Sequence, residues 1–198
     1  MAKGGNFERE ICKQLGLWWT GGERDDVFWR TAGSGAMATS RRKTGKSAFG
    51  QYGDIQATDP QGQPLMDACS LELKVGYGSY SFLDMLDRPK ETSVKEYEKF
   101  LKQATEDAEK SGAVWACVIS KRDYKVPIIT IPTNMCQAVV RTYGRMEDYD
   151  AIHCGVSFYI DVYKQGWYAF RLEDFLFWVE PKFFIKKLWE RKSRRSDD

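Results

Sequence analysis

Asp54, Glu72 and Lys74 are the residue types that phosphodiester chemistry needs, at a spacing that can bring them together. They stand in Gly53-Asp54-Ile55 and Leu71-Glu72-Leu73-Lys74. Side chains alternate along a strand, so Glu72 and Lys74 share one face while Leu71, Leu73 and Val75 share the other. Between the two motifs, Asp59-Pro60-Gln61-Gly62-Gln63-Pro64 reads as a turn between two strands. A hairpin folded about residue 63 sets Asp54 opposite Glu72. Two carboxylates and an ammonium on one surface suit a hard divalent cation with a positive charge beside it. Acid and base also alternate on ordinary solvated strands, so Glu72-Leu73-Lys74 alone leaves both readings open.

A helix at the N-terminus adds a third carboxylate. Asn6 to Leu15 reads as helical, with Asn6 as its cap and Gly16 as its stop. At about 100° per residue, Phe7, Ile11, Cys12 and Leu15 form one apolar stripe. Glu8 falls inside that stripe and Glu10 points away from it. A carboxylate on a buried stripe is costly unless something pairs with it. A metal site or a lysine beside one would pair it; a Glu8 at the stripe's edge, reaching water, would need no partner.

The order of these parts resembles the PD-(D/E)XK nuclease superfamily, and within it the archaeal-type Holliday-junction resolvases. The residues that carry the resemblance are Gly5-Asn6-Phe7-Glu8-Arg9-Glu10, Phe28-Trp29-Arg30, Gly33-Ser34-Gly35, Gly53-Asp54-Ile55 and Leu71-Glu72-Leu73-Lys74. The resemblance spans roughly residues 3 to 120. It implies an α/β fold with a restriction-endonuclease-like core, a mixed central β-sheet flanked by helices. It implies a structure-selective DNA endonuclease, with a four-way junction as substrate. A restriction-like or repair endonuclease on linear duplex, or a non-catalytic nucleic-acid-binding protein of the same fold, is the alternative. Asp54 and Glu72 would hold Mg²⁺, with Mn²⁺ as a substitute, the Leu73 carbonyl as a further oxygen ligand and Glu8 as a ligand or a positioner of water. Lys74 would position water or meet developing charge. Arg30 and Ser34 would contact the scissile or a neighbouring phosphate. Resolvases of this type present a glutamine on the helix after Glu-x-Lys, and Gln103 is the nearest candidate.

Composition narrows the field further. The chain has 198 residues, within the usual range of one domain, and is read as a single nuclease domain. Its core would span residues 3 to 121, with additions beyond. Seven Trp, ten Tyr and eleven Phe argue against disorder. The single histidine, His153, makes a histidine metal centre or histidine-based triad improbable. Cys12, Cys69, Cys117, Cys136 and Cys154 form no Cys-x-x-Cys pair and read as reduced core residues. No stretch has the length and apolarity of a membrane span or signal peptide, so a cytoplasmic location without membrane contact is expected.

The net charge of +2 gives little global attraction to DNA, so local clusters matter. Arg41, Arg42, Lys43 and Lys46 lie in a Gly-, Ser- and Thr-rich segment, residues 33 to 53, that reads as a mobile phosphate-grasping loop. A plain solvated loop is the other reading. Lys182 to Arg195 reads as a docked helix with a frayed, basic end, either solubilising or DNA-contacting. Tyr77, Tyr80 and Phe82 could stack on bases or meet a second subunit. A homodimer is expected, because a four-way junction offers two symmetric strands. Trp18, Trp19 and residues 175 to 178 are candidates for its interface, with core packing the main role expected of most.

The remaining elements give a layered pattern. Val27 to Thr31 reads as a strand. Ser93 and Glu96 form a capping box that opens a helix ending near Gly112, with Val94, Tyr97, Leu101, Ala104 and Ala108 on one face. Ala113 to Ile119 is a continuous apolar run, as in a buried strand. Strand, helix, strand implies a right-handed crossover. Val126 to Ile131 reads as a strand, Asn134 to Tyr143 as a helix, and Gly155 to Leu172 as a late hairpin turning at residues 164 to 166.

Overall fold

A computed structural model describes residues 3–31, 53–76, 96–123, 125–146, 159–162 and 165–196. Helix α1 (Lys3–Trp19) precedes two short strands, β1 (Phe28–Arg30) and β2 (Ile55–Ala57), which pair antiparallel with Arg30 opposite Ile55. A 3-10 turn (Pro60–Gly62) and helix α2 (Gln63–Ala68) lead into β3 (Cys69–Val75). Helix α3 (Glu96–Ser111) crosses back to β4 (Trp115–Lys121), which lies parallel to β3 with Glu72 opposite Val118. Then follow β5 (Ile128–Pro132), α4 (Thr133–Tyr143), β6 (Tyr159–Val162), β7 (Gln165–Arg171), α5 (Leu172–Trp178) and α6 (Lys182–Ser196). The main sheet is mixed, with order β3-β4-β5-β7-β6 and β3 at one edge. It is the restriction-endonuclease-like α/β arrangement expected from the sequence, and the chain after residue 121 supplies three of its five strands.

Alternation along β4 shows how the layers form. Trp115, Cys117 and Ile119 face a core built with Ile11, Met135, Phe175 and Phe183 of the flanking helices. Ala116 and Val118 face the other way, against Tyr97, Phe100, Leu101 and Ala104 of α3. Period-two strands between amphipathic helices bury both faces of the sheet. On β3, Leu71 and Leu73 join the first core, so Glu72 and Lys74 face the side of α3.

Three expectations are corrected. Residues 54 and 72 are not joined by a hairpin, because β2 pairs with β1. The Asp59 side chain accepts the Gln61 N–H, and prolines stand in the first turns of the 3-10 turn and of α2, so the turn residues open helices instead. Helix α1 does not stop at Gly16. A Cβ there would lie 3.0 Å from the Asp25 carbonyl carbon, so glycine admits the following loop against the helix, which runs on to Trp19. The basic C-terminal segment is helical through Ser196, where a frayed end was expected.

The aromatic candidates for a dimer interface divide. Trp19, Phe175 and Trp178 are buried, and the Trp19 indole donates to the Gln61 carbonyl at 2.8 Å. Trp18 donates to the Val179 carbonyl at 3.0 Å, and Phe177 is exposed. Cys12, Cys69, Cys117 and Cys136 are buried free thiols, as expected. Among the described residues, no helix is long and apolar enough to cross a membrane. The capping box at Ser93, Tyr77, Tyr80, Phe82, His153 and Cys154 lie outside the described residues.

Candidate active site

The site forms where the chain entering β2 touches the outer edge of β3. Gly53 has φ +77, and a Cβ there would lie 3.0 Å from the Leu71 carbonyl oxygen. Glycine is required for both reasons: left-handed backbone and close approach. The next residue is then clamped to the edge strand. The Asp54 N–H donates to the Leu71 carbonyl at 2.8 Å, and the Leu73 N–H donates to Asp54 Oδ2 at 2.8 Å. The Thr31 N–H donates to the Asp54 carbonyl at 2.8 Å, tying β1 to the same point. Asp54 thus brackets Glu72 along the strand.

Glu72 is 3% exposed, on the α3 side of β3. Its Oε1 accepts Lys74 Nζ at 2.5 Å and Gln103 Nε2 at 2.7 Å. Lys74 Nζ also donates to Gln103 Oε1 at 3.2 Å and stands 5.2 Å from the centroid of the Phe100 ring. Gln103 therefore holds both members of the Glu-x-Lys pair. Glu8 is mostly buried and pairs with Arg30 through a 3.4 Å contact. Glu10 is exposed and pairs with Lys121 at 3.1 Å. The helical phase read from the sequence separates these two carboxylates correctly.

The carboxylates sit under electrostatic stress. Burial, then the charge of Asp54, pushes the Glu72 carboxyl up to about 7, although Lys74 pulls it down. Burial also raises Asp54, against the Leu73 N–H and Lys74, with further upward pressure from Glu8 and Asp107. Asp107 was not anticipated. It lies one turn beyond Gln103 on α3, and that i, i+4 spacing was the available signal. Phe100, beneath Lys74, was also missed.

The donor set fits a hard divalent cation. Among the described residues, no group of three His, Cys, Asp or Glu side chains forms a metal cluster. Mg²⁺ does not need one, since it keeps several waters and takes one or two carboxylates. Asp54 Oδ1 and Glu72 Oε2 accept no hydrogen bond from the described residues. The N–H and C=O of a strand residue leave by the same edge, so the Leu73 carbonyl points to the side where its N–H meets Asp54. Cation binding would relieve the pressure that raises both carboxyls. Ser34, Arg41, Arg42, Lys43 and Lys46 lie outside the described residues.

A family model described as "Phage putative PDDEXK endonuclease" matches residues 1–183. The chain belongs to this family of PD-(D/E)XK endonucleases, and the match includes the strands beyond the stretch on which the sequence resemblance rested. Nucleases of this kind generally use divalent metals. Among curated proteins and among solved structures, no match was found.

Proposed function

We propose that the protein is a metal-dependent DNA endonuclease that cuts branched duplexes, above all four-way junctions. The observation that carries the nuclease reading is the convergence of Asp54, Glu72, Lys74 and Gln103 at the edge of β3. Gln103 supports the junction reading by resemblance, because resolvases of this type present a glutamine on the helix after Glu-x-Lys.

Asp54, Glu72 and the Leu73 carbonyl would hold Mg²⁺ or Mn²⁺. When bound, that cation supplies a more acidic water and charge neutralisation at the phosphate. The chain supplies the rest. Lys74, fixed by Glu72, Gln103 and the Phe100 face, keeps one ammonium beside the reacting phosphate, where it positions water or meets developing charge. Arg30, anchored by Glu8, offers a guanidinium to a phosphate oxygen. Ser34 and the basic residues Arg41, Arg42, Lys43 and Lys46 would contact the DNA backbone. A homodimer would place two such sites on the two strands of a junction.

The test uses labelled four-way junction, flap, linear duplex and single strand, each with Mg²⁺, Mn²⁺ or chelator. Metal-dependent cuts in the junction, with linear duplex resistant, are expected. Equal cutting of linear duplex would replace the resolvase reading with a restriction-like or repair endonuclease. Binding without cleavage under every metal condition would leave a non-catalytic DNA-binding protein.

A further inference from the structure

A groove of about 540 Å³ lies between β2, α2, the C-terminal end of α3 and α6. It begins beside the candidate active site. Its lining includes Thr31 and Ile55, and these flank Asp54: Ile55 follows it in the chain, and Thr31 donates its N–H to the Asp54 carbonyl. The charged side chains along it are Lys110, Arg191 and Lys192 against one carboxylate, Asp67. Asp67 accepts the Gln63 amide at 2.8 Å. Arg191 is held by a 3.0 Å bond to the Gly112 carbonyl and makes no ion pair among the described residues. Among the described residues, Lys110 makes only long contacts to Asp107 and Glu106, at 3.6 and 3.7 Å.

One helix face joins groove and site. Gln103, Asp107 and Lys110 follow the i, i+4, i+7 pattern on α3. At about 1.5 Å per residue, Lys110 stands about 10 Å along the helix from Gln103. Asp107, between them, is close enough to Asp54 and Glu72 for its charge to act on both. One DNA strand advances about 3.4 Å per nucleotide along the duplex axis, so Lys110 lies about three nucleotides from the site for a duplex running along α3. Where the groove meets Asp54, the Thr31 hydroxyl is buried without a partner among the described residues.

We propose that this groove receives the phosphodiester backbone of the duplex arm leading away from the cut, with Lys110, Arg191 and Lys192 as its cations. This assigns the C-terminal helix α6 a DNA contact, and it rests on the nuclease reading above. Three cations in a concave strip continuous with a phosphodiester site match a polyanion of regular spacing. Cations at phosphates fix register without reading bases.

The test compares the wild type with the Lys110→Gln, Arg191→Gln, Lys192→Gln variant. Anisotropy in chelator would follow binding to junctions with arms of graded length, over a range of salt. On long arms the variant should bind at least about tenfold more weakly, and its slope of log K against log salt should be shallower by about 2 to 3. Replacing the phosphates about three nucleotides from the crossover with neutral methylphosphonates should weaken the wild type toward the variant and leave the variant nearly unchanged. A Lys110→Gln, Lys192→Gln variant keeps the Arg191 bond to Gly112 and should show about two thirds of that slope change. Equal affinity and slope on long arms, with the wild type binding DNA, would overturn the groove and leave the nuclease reading standing. A wild type that neither binds nor cuts DNA would overturn both.

Discussion

Glu72→Gln should abolish cleavage and, in the absence of metal, make the protein more stable at pH 8. The reason is the carboxyl's raised affinity for protons, from 4.5 to about 7, which burial and Asp54 impose. The folded state keeps a proton on Glu72 at pH values where the unfolded chain has released it. Stability from this group is therefore complete below about pH 4.5 and is lost as pH rises through about 7. At about 1.4 kcal/mol per unit, the full difference is roughly 3 kcal/mol. Glutamine matches the protonated acid in shape, so the variant escapes that cost. At about 2–4 °C per kcal/mol for a chain of this size, its Tm at pH 8 should exceed wild type by roughly 6–12 °C. The gap should close toward pH 5. Mg²⁺ should then raise the wild-type Tm above pH 7 and leave the variant unchanged. Calorimetry from pH 5 to 8, with chelator and then with Mg²⁺, reads all of these quantities. A variant less stable than wild type at every pH, with no trend, would show that Glu72 is an anchor for Lys74 and Gln103 and not a strained cation ligand.

Three further substitutions separate chemistry from scaffold. Asp54→Asn should lower cleavage by about 10²–10³, since single electrostatic groups at a reacting phosphate have that value, with the fold retained by circular dichroism. Near wild-type turnover with Mg²⁺ would remove Asp54 from the site. Glu8→Gln should impair cleavage because it releases Arg30, whereas Glu10→Gln breaks only an exposed pair with Lys121 and should change stability by less than about 0.5 kcal/mol. Equal activity of the two in a junction-cleavage assay would make Glu8 an ordinary edge residue. Gly53→Ala should cost about 1–3 kcal/mol in chemical denaturation, because φ is +77 and the added Cβ meets the Leu71 carbonyl at 3.0 Å. Unchanged stability and activity would show that the crossing to β3 does not need the glycine.

The sequence disclosed which side chains share a face better than the path between them. Period-two alternation placed Glu72 and Lys74 on one face, and helical phase separated Glu8 from Glu10, because both patterns are local. The hairpin failed for a non-local reason. Asp59, Pro60 and Pro64 serve a turn and a helix start equally well, and the choice depended on β1 already holding β2. For Gln103 the sequence offers only proximity, because the length of chain between Lys74 and α3 does not reveal where the helix begins or lands. Space answers what spacing did not: Gln103 touches both Glu72 and Lys74.

The position of β3 at the sheet edge explains why Asp54 can be held there so firmly. An edge strand leaves alternate N–H and C=O groups without a neighbour, which is a hazard in most proteins. Here Asp54 uses the Leu71 carbonyl and the Leu73 N–H, one through its backbone and one through its side chain. A full strand in that place would satisfy the same groups and point only alternate side chains at Glu72. A single residue brought in by a left-handed glycine satisfies them and keeps its second carboxylate oxygen for other use. The same edge leaves the Leu73 carbonyl on the side of Asp54, so backbone and carboxylate present oxygen at one edge. Edge protection and the construction of the proposed cation site are thus one structural event, and Gly53→Ala should disturb both together.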